Sequence, residues 1–192
     1  TGKLPEDKKN LVTNTYETQS GELLVKPSYV RDALPSNMEN ITALPVFAAS
    51  ADSMKDKIAA ISFLLSGDRL GEGKLASLHI FKLKPNGEAF DRLEYKYVPN
   101  NPDKYKDGCY TIHNSDKSSF TGTGFLSNED YIITLFIQDN GAYDCDSADA
   151  YIVDPAIICS YPPAAPTSGS GGCSTGFAAM ALIARVPMVI RR

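Results

Sequence analysis

Tyr131–Pro155 reads YIITLFIQDNGAYDCDSADAYIVDP. Its opening, Tyr131–Ile137, is apolar on both alternating faces apart from Thr134, the pattern of a central strand covered on two sides. Asp139-Asn140-Gly141 then supplies turn chemistry, and the apolar run ending at Val153-Asp154-Pro155 predicts a second, short strand. Outward from this unit lie more short runs of the same kind: LPVFAA (44–49), IAAISFLLSG (58–67), KLASLHIFKLK (74–84) and RLEYKYV (92–98). In the last, Leu93, Tyr95 and Tyr97 share one face and Arg92, Glu94 and Lys96 the other, a strand with one wet face. Ser66-Gly67-Asp68, Gly71-Glu72-Gly73, Pro85-Asn86-Gly87 and Pro99-Asn100-Asn101-Pro102 separate the runs, and Asn86-Gly87 is a hairpin signal. The expected fold is mainly β, an antiparallel β-sandwich.

Composition agrees with one globular unit plus appendages: 192 residues, 43% hydrophobic and 22% charged, with ten Tyr and eight Phe for an aromatic core. The net charge is -4, and the body carries no Lys/Arg stripe, which argues against a nucleic-acid partner. The chain divides into a connector or the end of a preceding module over 1–43, the β body over 44–160, a Pro/Gly/Ser linker over 161–172, and a C-terminal hydrophobic helix tail over 173–192. Within the connector, Leu23–Val25 reads as a short strand. Ser28 reads as the N-cap of one or two helical turns that Pro35 stops. Thr1–Asn10 is polar and charged, so either a leader has been removed or the chain is part of a longer one.

Asp139, Asp144, Asp146, Asp149 and Asp154 crowd one stretch that holds no Lys or Arg. Such carboxylates need solvent, hydrogen bonds or a cation. Two readings stand: a solvated turn built on Asx-turns, which is the default, and an irregular calcium loop on Asp139, Asp144, Asp146 and Asp149. A dedicated EF-hand fails, because Ala148 and Asp149 stand at the fifth and sixth positions counted from Asp144. The strand Ile132–Gln138, the acidic turn from Asp139 to Asp149 and the ending Val153-Asp154-Pro155 resemble the choice-of-anchor U domain family. Asn140 stands where that family usually has Gly. The resemblance spans roughly Leu44 to Ser160, and implies an exported bacterial surface module without catalytic activity.

Enzymatic chemistry is short of parts. His79 and His113 are the only two histidines. Cys109 and His113 lie four apart, on one face of a strand, but no third group orients them. Asp68 and Glu72 have no spacing that singles them out as an acid–base pair. Thr121–Phe125 (TGTGF) neither follows a clear strand nor opens a helix, so it is no phosphate loop. Asn40-Ile41-Thr42 is a formal glycosylation sequon. Among the four cysteines, Cys109, Cys145 and Cys159 lie in the body, which leaves room for one disulfide or none.

The chain finishes GSGGCSTGFAAMALIARVPMVIRR. Phe177–Ile190 is apolar but shorter than the about 20 residues of a spanning helix. It also contains Arg185, which costs about 2.5–3.5 kcal/mol at a bilayer centre. Arg191 and Arg192 suit a stop held on the cytoplasmic side. The order of Ser170-Gly171-Gly172-Cys173-Ser174, apolar run, Val186-Pro187 and terminal arginines resembles the Synerg-CTERM type of bacterial C-terminal sorting signal. That resemblance implies the cytoplasmic membrane and a sorting protease as partners, with processing around Gly171, Gly172, Cys173 and Ser174. A thiol at that point could accept a lipid or another anchor. The expectation is therefore a non-catalytic, exported, membrane-associated or cell-surface module. The alternative is a secreted calcium- or glycan-binding β-sandwich.

Overall fold

The computed structural model describes residues 5–12, 14–50, 57–70, 75–84, 91–148 and 151–160. The linker, the apolar tail and Asp149 lie outside them, as does the Asn86-Gly87 turn. The chain is mainly β. Twelve strands are described: β1 Thr15–Glu17, β2 Leu23–Val25, β3 Glu39–Ala43, β4 Phe47–Ser50, β5 Ile58–Ser66, β6 Leu78–Lys84, β7 Asp91–Glu94, β8 Lys96–Tyr97, β9 Cys109–Asn114, β10 Asp130–Gln138, β11 Tyr151–Asp154 and β12 Ala156–Ser160. One α-helix among the described residues, α1, covers Pro27–Ala33.

Two four-stranded sheets, ordered β5-β10-β9-β8 and β3-β12-β6-β7, carry the core between them. All strand pairs are antiparallel except β8 with β9. β10 is central, as its two apolar faces predict, and runs in register with β5 from Asp130↔Ser66 to Gln138↔Ile58. Ile133, Leu135 and Ile137 from β10 meet Ile80 from β6 and Ile158 from β12. β3 with β4, and β12 with β11, act as two long strands, each interrupted by a proline. The Leu44 N–H crosses the break by donating to the Ala156 carbonyl at 2.9 Å.

Two expectations need correction. Residues 92–98 do not form one strand: the chain leaves one sheet after Glu94 and enters the other at Lys96. Alternation survives the crossing, because Tyr95 is buried between exposed Glu94 and Lys96. Tyr95 donates its N–H to Ile80 and Lys96 donates to Gly108, both at 2.8 Å, so each sheet claims one residue. Nor is 1–43 a connector in its described part. β3 is an edge strand on β12, with Ala43↔Ile157 and Thr42↔Ile158 in register. Val12, Val25, Val30, Leu34 and Met38 form a second core against Phe81, Leu83, Val153, Ile157 and Cys159. They cover the outer face of the β6–β12 sheet, which is why AIICS (156–160) is buried at every position.

The helix caps differently from expectation as well. Lys26 is its N-cap and Pro27 its first residue, where a missing N–H costs nothing. No disulfide joins Cys109, Cys145 and Cys159 to one another.

Candidate functional site

The acidic turn and the strand that follows it converge on one buried lysine. Lys82 sits on β6 in parity with Leu78 and Ile80, so its side chain enters the core between the sheets. It is fully buried, as is Asp154 at the end of β11. Lys82 Nζ stands 3.1 Å from Asp154 Oδ1. It also donates to the Val153 carbonyl at 3.3 Å and to the Tyr143 carbonyl. The Tyr95 hydroxyl donates to the other carboxyl oxygen, Oδ2, at 2.5 Å. Removing two charges from water is costly unless both are matched and hydrogen-bonded. Here two backbone carbonyls, one carboxyl and one phenol supply the matching. Burial still pushes the Asp154 carboxyl upward, against the pull of the Lys82 ammonium. Burial first, then the neighbouring Asp154, pushes the Tyr95 phenol well up.

Each described carboxylate of the turn caps backbone N–H groups. Asp144 Oδ1 accepts from Asp146 at 2.9 Å and Val153 at 3.0 Å, and its Oδ2 accepts from Asn140 at 3.1 Å. Asp139 Oδ1 accepts from the Tyr151 N–H at 3.0 Å, and Asp146 Oδ1 from the Ala148 N–H at 2.9 Å. Asp107, in the segment before β9, clamps the same turn by accepting from Gln138 at 2.8 Å and Ala142 at 3.1 Å. Burial raises the Asp144 carboxyl above its usual range, and the three N–H bonds oppose that shift. Asn140 has φ 58°, a left-handed conformation that Asn tolerates and Gly adopts freely. That accounts for Asn in a position suited to Gly.

Asp139, Asp144 and Asp146 are thus brought together, but around backbone donors. Among the described residues no three His, Cys, Asp or Glu side chains form a group that could hold a metal ion. The fourth calcium candidate, Asp149, lies outside the described residues. So do Gly171, Gly172, Cys173 and Ser174 of the processing point, and Arg191 and Arg192 of the stop. No helix among the described residues is long and apolar enough to cross a membrane. Cys109 is buried at the start of β9, and Glu72 falls outside the described residues.

A cleft of about 670 Å³ opens where the chain crosses between sheets, with Leu75, Leu78, Tyr95, Tyr97, Tyr110 and Thr123 in its walls. At its rim Glu94 Oε1 meets His79 Nδ1 at 2.5 Å. Burial raises the Tyr110 phenol above its ordinary range.

Sequence reasoning missed Lys82, Tyr95 and Asp107. A signal for Lys82 existed: it interrupts the parity of Leu78 and Ile80 in a strand whose other face, Phe81 and Leu83, is apolar too. A lysine inside a strand with two apolar faces has no wet side to occupy. Comparison with family models, with curated proteins and with solved structures finds no match for this chain.

Proposed function

We propose that this chain is a non-catalytic cell-surface module: an antiparallel β-sandwich that stands next to the membrane and presents an exported bacterial protein. Its tail, from Gly171 to Arg192, acts as the sorting signal. The observation that carries this reading is the use made of the acidic turn. The most specific motif of the body serves the fold itself, since Asp139, Asp144 and Asp146 all accept backbone N–H groups. The resemblances to the choice-of-anchor U family and to Synerg-CTERM tails supply the location, and rest on sequence motifs alone.

On this reading the linker at 161–172 spaces the body from the bilayer, and the apolar run holds the tail while a protease cuts near Gly172-Cys173. The full chain, placed behind an export signal in a bacterium that has this sorting machinery, is expected in the membrane or surface fraction. Its C-terminal peptide should end or carry a modification at Cys173, and Cys173→Ala should shift the protein to the unprocessed form. An exported protein recovered soluble, with an unmodified peptide running from Cys173 to Arg192, would overturn the proposal.

A further inference from the structure

Lys82 and Asp154 are an amine and a carboxyl held in direct contact. Both are completely buried. Nζ is 3.1 Å from Oδ1. We propose that the two side chains join as an intramolecular amide, a covalent cross-link between β6 and β11 formed with loss of one water.

The surroundings suit that step. Nζ stands 3.1 Å from one oxygen of the carboxyl whose carbon it would attack, and groups held in contact in a rigid site gain the effective concentration of an intramolecular reaction. Tyr95 OH on Oδ2 is a donor aimed at the oxygen where negative charge develops as nitrogen attacks the carboxyl carbon. A neutral amine with a neutral carboxyl group is the reactive pair, and burial favours the uncharged form of the Asp154 carboxyl. The raised Asp154 carboxyl is consistent with that exchange of a proton.

The atoms balance without any co-reactant. The ion pair holds three protons on Nζ. One passes to Oδ1, which leaves the free amine and the carboxylic acid. Nζ then bonds to Cγ, and Oδ2 carries the developing charge under the Tyr95 hydroxyl. A second nitrogen proton follows to Oδ1, the Cγ–Oδ1 bond breaks, and water leaves. The third proton remains as the amide N–H, and Oδ2 becomes the carbonyl oxygen. The product replaces two desolvated charges by one neutral group. It also closes a long loop that contains β7 to β10, which restrains the unfolded chain.

Mass spectrometry of the denatured full chain tests this independently of where the protein resides. The expected result is a mass one water below that of the sequence, and a branched peptide that joins the Lys82 and Asp154 segments. Lys82→Met should restore the full mass. Tyr95→Phe should close more slowly, with the full-mass species accumulating in freshly made protein. Wild-type protein that is folded by circular dichroism and retains its full mass, with separate Lys82 and Asp154 peptides, overturns the proposal. Cross-linking as fast in Tyr95→Phe as in wild type overturns the part given to Tyr95.

Discussion

Asp144 shows how a single side chain can hold a turn together. Its two oxygens gather N–H groups from Asn140, Asp146 and Val153, so Asp144→Ala leaves three donors without acceptors. Orphaned buried donors cost about 1–3 kcal/mol each, while removing a desolvated carboxylate returns part of that. The expected net loss is about 2 kcal/mol, read as a lower urea midpoint. The same carboxylate sets a pH dependence. Its pKa in the fold lies above the usual 3.8, so between those values the folded state keeps a proton that the unfolded chain has released. Stability should therefore fall as pH rises through that window. Asp116 is shifted the other way by its hydrogen bond from Ser118, so its contribution is lost only as pH falls through its own lowered pKa, below 3.8. Urea midpoints across the acid range should rise from neutral pH toward 3.8. Asp144→Asn should lessen the slope; any slope that remains belongs to Asp154, whose carboxyl burial also raises, and an unchanged slope would show that Asp144 sets none of it.

At the scale of elements, the covering layer before Leu44 carries more than its sequence suggests. Val12, Val25, Val30, Leu34 and Met38 are each less than a tenth exposed. Burying side chains of this kind is worth about 1.5–3 kcal/mol apiece. Together that is comparable with the about 5–15 kcal/mol that holds a whole domain folded. A chain beginning at Leu44 also loses β3 and leaves β12 as an unpaired edge, a template for aggregation. Such a truncated chain should be insoluble or bind hydrophobic dyes, whereas one that melts cooperatively at the temperature of the full chain would show the layer to be dispensable. The strand Leu23–Val25 and the short helix were legible in the sequence, but their packing was not, because β1 and β2 are three residues long and the helix seven, too short for periodicity to mark a buried face. β10 was legible for the opposite reason: nine residues with two apolar faces permit only a central position.

For the molecule as a whole, the acidic turn fastens two sheets to each other. Asp139 and Asp144 tie the end of β10, in one sheet, to Tyr151 and Val153 of β11, which leads directly into β12 in the other. Lys82 joins the same point from β6, and Tyr95 reaches it from the crossing between β7 and β8. The Lys82–Asp154 mass measurement and the fate of Cys173 belong at this scale, since one concerns how the body resists unfolding and the other where it resides. By itself, the sequence determined the β class, the central place of Tyr131–Ile137 and the clustering of carboxylates in one turn, because alternation and turn chemistry are local properties. Only the tertiary structure decided that Leu93–Tyr97 changes sheets, that the first 43 residues contribute a second core, and that Lys82 faces Asp154. Those outcomes depend on which surfaces meet across long separations in the chain, and a lysine's place inside or outside is fixed by its partners.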